Sequence, residues 1–261
     1  MAKVPPLPYV PAHDLLRGKN VLMTAAAGAG IGFATAQRCA EEGARLFISD
    51  IHEKRVEEAA EKLEEIAGQP VGRLLCNVTR EEDVQALVGA AIADMGHVDV
   101  LINNAGLGGE VPVVNMTDEQ WFTVIDVTLN SVFRMTRAIL PHMMERRSGA
   151  IVNNASVLGW RAQQGQAHYA AAKAGVMALT RCSAMEAAEY GIRINAVSPS
   201  IAIHPFLVKT TPQELLDELE GREAFGRGAE PWEVSNVMVF LASDYSSYMT
   251  GEVVSVSSQR A

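Results

Sequence analysis

Tyr169 and Lys173 lie four residues apart in an Ala-rich stretch that predicts a helix, so both side chains should share one helix face. A phenol with its usual pKa of about 10 is a poor base at neutral pH. A neighbouring ammonium favours the phenolate, so we expect Lys173 to lower the Tyr169 pKa and permit proton exchange with an alcohol or ketone. Ser156, which ends an apolar run upstream, could hydrogen-bond the same substrate oxygen. Alone, this spacing is typical of surface pairs, so its meaning depends on the rest of the chain.

Length, charge and cysteine content narrow the class of protein. A chain of 261 residues suits one α/β domain, and its net charge of −9 argues against nucleic-acid binding. No apolar run reaches the roughly 18–20 residues that cross a bilayer, and the N-terminus lacks a signal pattern. The three cysteines are scattered and have no His at metal-ligand spacing, which predicts reduced thiols, no metal site and a cytoplasmic protein. They are Cys39, Cys76 and Cys182.

Apolar, strand-like runs alternate with longer amphipathic segments from residue 20 onward. We predict strands at 20–24, 45–49, 71–76, 100–103, 150–154, 193–197 and 253–256. We predict helices at 32–42, 54–66, 80–95, 118–144, 167–190 and 231–241. This alternation indicates βαβ crossovers and therefore a single doubly wound α/β domain, with helices on both faces of a parallel sheet.

Two segments depart from the alternation. Residues 1–17 contain four prolines and predict an extended N-terminal arm before the domain at 18–261. Residues 203–226 interrupt the alternation late in the chain, and we interpret them as a lid that carries a short helix around 213–219.

A glycine-rich turn follows the first predicted strand and opens the first helix. Its members Gly28, Gly30, Ile31 and Gly32 would let the backbone approach a diphosphate at a helix N-terminus, where amides and the positive end of the helix dipole favour anions. The position between strand and helix makes this interpretation stronger than a glycine cluster alone.

Asp50 closes the second predicted strand, where a dinucleotide-binding fold places the acid that binds a ribose 2′-hydroxyl. A carboxylate there repels a 2′-phosphate, and the turn itself has no basic residue, so the sequence favours NAD over NADP. Lys54 and Arg55 lie close by and weaken this preference. A simple turn or cap role for Asp50 is the alternative.

With these motifs in order, the chain closely resembles the short-chain dehydrogenase/reductase family over residues 16–257. The resemblance rests on the glycine-rich turn, Asp50, Asn103-Asn104-Ala105-Gly106, Ser156, Tyr169-x-x-x-Lys173 and Pro199. It implies a Rossmann-type fold and an NAD-dependent enzyme that interconverts a secondary alcohol and a ketone. It also implies a homotetramer that packs through the helices predicted at 118–144 and 167–190.

The resemblance assigns roles to individual residues. Tyr169 would be the general acid/base, Lys173 would lower its pKa and bind the nicotinamide ribose, and Ser156 would orient the substrate oxygen. The cofactor-binding set is then Gly28, Gly30, Ile31, Gly32, Asp50, Asn77, Val78, Asn104, Ala105, Gly106, Tyr169, Lys173, Pro199 and Ala202.

Several positions depart from the family pattern. The glycine-rich turn is one residue longer than usual and has Ala-Ala-Ala where Thr-Gly is common. The family's helix asparagine, which serves a proton relay, falls at Thr128. Asn130 is two positions later on a different helix face, so the relay could run through water held by Thr128 or by the backbone. His168 and His204 are candidates for substrate contact, but a structural role is the simpler interpretation of a lone histidine at either site.

The substrate is the least determined part of the prediction. Apolar residues flank the expected pocket, namely Trp160, Phe206, Leu207 and Phe225. The sequence of residues 153–163 and the Ser-Ser-Gln-Arg tail resemble those of a bacterial subgroup of the family. These enzymes oxidise a ring hydroxyl on CoA-linked intermediates of steroid-ring breakdown. Two alternatives stay open, an NADPH-dependent 3-oxoacyl-thioester reductase and a non-catalytic NAD-binding regulatory protein.

Overall fold

The strands of the protein form one parallel sheet in a computed structural model, which describes residues 3–258 except the side chains of Phe206 and Thr210. The strands are β1 (Asn20–Met23), β2 (Arg45–Asp50), β3 (Gly72–Leu75), β4 (Val100–Asn103), β5 (Gly149–Asn154), β6 (Ile192–Pro199) and β7 (Val253–Val256). They are ordered β3-β2-β1-β4-β5-β6-β7, and every neighbouring pair is parallel. The strand order reverses between β1 and β4, which is where doubly wound folds bind ligands. The predicted fold class is confirmed.

The helices agree with the predicted set, with two differences. They are α1 (Ile31–Glu41), α2 (Glu53–Ala67), α3 (Glu81–Met95), α4 (Asp118–Ile125), α5 (Ser131–Arg146), α6 (Ala167–Ala187), α7 (Pro205–Thr210), α8 (Gln213–Arg222) and α9 (Pro231–Ala242). Short 3₁₀ turns lie at Val113–Asn115, Val157–Gly159, Ala188–Tyr190 and Asp244–Ser246. The helix predicted at 118–144 is α4 and α5 joined by a π-helical turn at Asp126–Asn130, and α7 was not predicted.

Apolar side chains of the strands cover both faces of the sheet. Val21 and Met23 of β1 pack in one cluster with α1, α2 and α9, while Leu22 packs in another with α3, α5 and α6. Successive side chains of a strand point to opposite faces, so a continuous apolar run is needed when both faces are covered. No helix in the described part of the chain is both long enough and apolar enough to cross a membrane.

The predicted N-terminal arm has no regular structure over residues 3–14, and its first two residues lie outside the described range. Arg38 in the last turn of α1 and Glu42 directly after it form a buried ion pair, with Nη2 and Oε1 2.7 Å apart. This ion pair anchors the arm. Arg38 donates to the carbonyl oxygens of Val10 (2.8 Å) and Pro11 (3.1 Å). Glu42 accepts from the amide of His13 at 2.9 Å. The arm is therefore bound along its length to charged groups that it covers.

The other end of the arm contacts the segment predicted as a lid. The amide of Val4 donates to the carbonyl of Phe225 at 2.8 Å, and the Val4 carbonyl accepts from Nε of Arg227 at 2.8 Å. This segment contains α7 and α8, and α8 corresponds to the short helix predicted there. The last three residues of the chain, 259–261, lie outside the described range.

Candidate active site

The carboxyl edge of the sheet gathers nearly every residue singled out in the sequence. Parallel strands all end at this edge, so the loops that follow them meet there. Each predicted residue lies at a strand end, in the loop that follows it, or on the helix that the loop enters. These are Gly28 to Gly32 after β1, Asp50 at the end of β2, Asn77 and Val78 after β3, Asn104 to Gly106 after β4, Ser156 after β5, Tyr169 and Lys173 on α6, and Pro199 and Ala202 at and after the end of β6.

The glycine-rich turn packs so tightly that only glycine fits at its last position. A Cβ on Gly32 would lie 2.2 Å from the carbonyl oxygen of Ala25 and 2.6 Å from Nδ2 of Asn104. Ala25 occupies the left-handed region with a φ of 51°, where glycine would be free of the Cβ penalty. Ala25 therefore adopts a backbone conformation that is unfavourable for alanine, at the point where the chain leaves β1.

The outer side of the same turn is open, as a diphosphate-binding cradle requires. A Cβ on Gly28 would meet nothing within 4 Å, and the atoms nearest to one on Gly30 would be those of the His204 imidazole, at 3.4 Å. A pocket of about 460 Å³ lies over the turn, and Arg55 and Lys62 contribute to its wall. The small residues and the N-terminus of α1 thus fit the phosphate groups of a dinucleotide.

Asp50 is nearly buried, and backbone amides hold its carboxylate. Its Oδ2 accepts from the amide of Ala27 at 3.3 Å and its Oδ1 from the amide of His52 at 3.1 Å. Burial raises the pKa of the Asp50 carboxyl, while the amide of Ala27 and the charge of Arg55 oppose that rise. The carboxylate is thus linked to the glycine-rich turn, as well as capping the turn before α2.

Asn104 connects the glycine-rich turn to the end of β5. Its side-chain Nδ2 donates to the carbonyl of Ala25, and its Oδ1 accepts from Nδ2 of Asn154, both at 2.9 Å. Its amide donates to Oγ1 of Thr24 at 3.1 Å. Sequence reasoning missed Thr24 and Asn154 as parts of the site. The available signal was a polar residue at the carboxyl end of an otherwise apolar strand.

Ser156, Tyr169 and Lys173 lie close together, between the end of β5 and the first turns of α6. The Ser156 hydroxyl accepts from the amide of Leu158 at 3.2 Å and also hydrogen-bonds the Tyr169 phenol. Lys173 is 2% exposed, and its Nζ donates to the carbonyl of Asn154 at 2.5 Å and lies 5.4 Å from the Tyr169 ring centroid. Strand β5 and helix α6 therefore bring a hydroxyl, a phenol and an amine to one place.

The pKa values of the pair differ from the sequence-based expectation. Burial raises the pKa of Tyr169 to about 12, and the hydrogen bond with Ser156 only partly opposes this. Burial also lowers the pKa of Lys173 to about 7. Burial thus opposes the expected lowering of the Tyr169 pKa by Lys173, because desolvation disfavours the charged forms of both groups.

Thr128 and Asn130, the two residues considered for the role of the family's helix asparagine, make different contacts. Asn130 donates to Asp126 at 3.0 Å, whereas Oγ1 of Thr128 bonds the backbone of Leu107 in the loop after β4. His168 is 2% exposed, and burial lowers its pKa. Thr128 is therefore the residue that joins this part of the helix to the loop carrying the predicted cofactor residues.

The apolar residues expected around a substrate do not share one pocket. Trp160 lines a groove with residues 158–165 of the loop after β5, while Phe225 lines a separate pocket with Arg227 and Ser258. The side chain of Phe206 lies outside the described part of the structure. Both Trp160 and Phe225 are about half exposed, at 51% and 49%.

Comparison with known proteins places this arrangement in a family. A family model described as "Enoyl-(Acyl carrier protein) reductase" matches residues 25–258. A crystal structure of a short chain dehydrogenase from Mycobacterium smegmatis superposes with a TM-score of 0.86 at 57% identity, covering 97% of each chain. This chain is a short-chain dehydrogenase/reductase. Members of the family use a nicotinamide cofactor, which agrees with the open cradle over the glycine-rich turn.

Two of the curated relatives illustrate what the chain is similar to. One, from Mycobacterium tuberculosis, is named (5R,7aS)-5-hydroxy-7a-methyl-1-oxo-2,3,5,6,7,7a-hexahydro-1H-indene-carboxyl-CoA reductase. It is 61% identical over 251 residues, which are 96% of each chain. Another is the 3-oxoacyl-[acyl-carrier-protein] reductase FabG of Thermotoga maritima, which is 39% identical over 241 residues, 92% of this chain and 97% of the relative. The predicted family membership is confirmed.

Proposed function

We propose that this short-chain dehydrogenase/reductase interconverts a ring hydroxyl and a ring ketone on a CoA-linked, steroid-derived bicyclic substrate. The observation that carries the proposal is the 61% identity to a reductase named for such a CoA-linked hydroindene. The matched region covers 96% of this chain and so contains the loops around the site, where binding residues are concentrated.

The chemistry is divided between the cofactor and the side chains of this protein. When bound, the nicotinamide cofactor supplies the acceptor or the donor of hydride. In the oxidation direction, the substrate hydroxyl passes its proton to the phenolate oxygen of Tyr169, while the hydride leaves the carbon that bears this hydroxyl. Ser156 hydrogen-bonds the substrate oxygen and Tyr169 together. Lys173, which the Asn154 carbonyl holds, carries the charge that stabilises the phenolate.

A matched pair of substrates tests the proposed function. We expect the CoA thioester of a hydroxylated hydroindane carboxylic acid to reduce NAD⁺, followed by NADH absorbance, and its free acid to react far more slowly. If the enzyme turned over simple alcohols but no CoA thioester that carries a ring hydroxyl, the substrate assignment would be contradicted. Absence of turnover with any alcohol or ketone would instead favour a non-catalytic NAD-binding protein.

We propose NAD as the cofactor, because the Asp50 carboxylate is fixed by two amides at the end of β2. Replacing Asp50 with Asn keeps the shape of the side chain and removes the charge. We expect kcat/KM for NAD to fall about 10- to 100-fold, since hydrogen bonds to a charged group contribute about 1.5–3 kcal/mol. The use of NADP should rise.

The control for this prediction is Arg55→Ala, because Arg55 lies in the wall of the pocket and would attract a 2′-phosphate. NAD turnover should fall much less in that variant than in Asp50→Asn. A wild-type enzyme that strongly prefers NADPH, and loses this preference when Arg55 is replaced, would reverse the cofactor assignment.

An NADPH-dependent 3-oxoacyl-thioester reductase is the second candidate. The 39% identity to FabG of Thermotoga maritima favours it, and so do Arg55 and Lys62 over the glycine-rich turn. The lower identity makes it the weaker candidate. Faster NADPH-dependent reduction of an acetoacetyl thioester than of any ring ketone would establish it.

We also propose a homotetramer that packs through α4, α5 and α6. Large apolar side chains on these helices are exposed in the single chain, with Phe122 at 63%, Phe133 at 44% and Met185 at 78%. Contact with another copy would remove this apolar surface from water. Light scattering should give about four times the chain mass of 28.1 kDa, and a purely monomeric protein would contradict the proposal.

A further inference from the structure

The first described residues of the N-terminal arm hold the chain that leaves the predicted lid. The amide of Val4 donates to the carbonyl of Phe225, and the Val4 carbonyl accepts from Nε of Arg227, both at 2.8 Å. Lys3 forms an ion pair with Glu220 in the last turn of α8. Both backbone groups of Val4 are therefore used to attach the arm to residues 222–228, which we call the exit stem of the lid.

Tyr9 attaches the middle of the arm to two helices of the domain. Its hydroxyl donates to Oε2 of Glu41 at the end of α1, at 2.5 Å. Its ring meets that of Trp232 in the first turn of α9 edge-on, with the centroids 5.3 Å apart. The guanidinium of Arg38 lies over the Tyr9 ring, 5.4 Å from its centroid. Together with the bonds to residues 10–13, these contacts fix the arm to the body of the domain.

The stretch between Val4 and residues 10–13 is rich in proline. Proline fixes φ near −65° and donates no backbone hydrogen bond. Proline-rich segments therefore act as semi-rigid spacers, whereas glycine-rich segments behave as flexible coils. A stiff spacer that is fixed at one end restrains what it holds at the other end. The prolines are Pro5, Pro6, Pro8 and Pro11.

The exit stem packs against the chain that enters the lid. The amide of Ile203 donates to the carbonyl of Ala229 at 2.9 Å, and the amide of Ala229 donates to the carbonyl of Ile201 at 2.8 Å. A Cβ on Gly228 would lie only 2.6 Å from Cγ1 of Ile203. The next residue, His204, lines the 460 Å³ pocket over the glycine-rich turn. The exit stem is thus packed against the residue that precedes a wall of the cofactor pocket.

We propose that the N-terminal arm is a strap that holds residues 203–226 against the cofactor pocket, and that Val4 is the positioning residue at its end. A loop that is already ordered loses less conformational freedom when a ligand binds, so the strap increases the affinity for NAD(H). No arm residue lines this pocket, and the strap acts through the exit stem. The proposal rests on the proposed use of NAD(H) and deepens it.

Val4→Pro tests the strap, because proline lacks the amide hydrogen that bonds the Phe225 carbonyl. We expect the Kd for NADH to rise about 2- to 10-fold, which is the effect of losing one intramolecular hydrogen bond. The dissociation rate of NADH should rise by a similar factor. The rate of hydride transfer in a single turnover at saturating NAD⁺ should change much less. Fluorescence titration and stopped-flow displacement of NADH measure the two binding quantities.

Leu7→Pro is the matched control within the arm. Leu7 also precedes a proline, its side chain is 77% exposed, and its amide donates no hydrogen bond to any part of the chain that the structure describes. The variant should bind and release NADH as the wild type does. Tyr9→Ala detaches the arm at its other attachment, and it should weaken NADH binding in the same direction as Val4→Pro.

Hydrogen–deuterium exchange at residues 203–211 supplies a readout that depends neither on turnover nor on NADH. Val4 makes none of its backbone hydrogen bonds to this stretch, so faster exchange there shows that the arm restrains the lid through the exit stem. Exchange should be faster in Val4→Pro and stay at the wild-type rate in Leu7→Pro.

Wild-type exchange at 203–211 in Val4→Pro would overturn the proposal, and so would faster exchange with an unchanged Kd for NADH. A wild-type protein that binds no NADH would instead reject the proposed use of NAD(H). The exchange comparison alone would then decide whether the arm restrains the lid.

Discussion

Tyr169→Phe should lose most of its turnover and keep its cofactor affinity. The variant removes only the hydroxyl that hydrogen-bonds Ser156 and leaves the ring beside Lys173 in place. General acid–base catalysis by a positioned side chain contributes about 10²- to 10⁴-fold, so kcat should fall within that range. Stopped-flow or steady-state absorbance of NADH measures the loss, and quenching of protein fluorescence by NADH measures binding.

Tyr248→Phe serves as the control for that experiment, because Tyr248 is fully exposed and lies in the segment between α9 and β7. It should behave as wild type in both measurements. A Tyr169→Phe variant with turnover comparable to wild type would show that another group transfers the proton. A variant that no longer binds NADH would show that the ring had been displaced, and it would not support an acid/base role.

Gly32→Ala should damage both the fold and the cofactor site. The new Cβ would lie 2.2 Å from a backbone oxygen of Ala25 and 2.6 Å from the Asn104 side chain, and a backbone atom cannot move as cheaply as the end of a flexible side chain. Overpacking typically destabilises by about 1–3 kcal/mol. Each kcal/mol shifts Tm by about 2–4 °C in a domain of this size, so we expect a drop of roughly 2–12 °C.

The matched control is Gly28→Ala, four residues earlier in the same turn. A Cβ there meets nothing within 4 Å, and Gly28 does not have a positive φ, so Tm should stay near the wild-type value. NADH affinity should fall strongly in Gly32→Ala, because Ala25 and Asn104 hold the turn. Equal Tm values for the two variants would contradict the packing argument.

Local patterns were sufficient to predict the sheet and the place of the candidate site. Strands such as β1 and β4 are continuous apolar runs because both of their faces are covered, and this is visible in the sequence. The carboxyl ends of parallel strands meet at one edge of a sheet, so the order of the runs is enough to bring together the residues that follow them.

The remaining features depend on contacts between distant residues. Thr128 lies in the π-helical turn and bonds Leu107 in a distant loop, and the helical period of the sequence does not reveal either feature. The hydrogen bonds by which Arg38 and Glu42 anchor the arm also join residues that are far apart in the sequence. The pKa of Tyr169 depends on how deeply its phenol is desolvated, which residue spacing alone cannot predict.

The ionisation of Tyr169 tests the account most directly. Carbon-13 NMR of ring-labelled tyrosine, assigned by comparison with Tyr169→Phe, follows the phenol through a pH titration with and without NAD⁺. Burial raises the pKa of Tyr169 to about 12 in the protein alone, so the phenol should stay protonated up to pH values near 10. Catalysis near neutral pH then requires bound NAD⁺, together with the charged form of Lys173, to lower this pKa towards neutrality. An identical titration with and without NAD⁺ would contradict the assignment of Tyr169 as the group that exchanges the substrate proton.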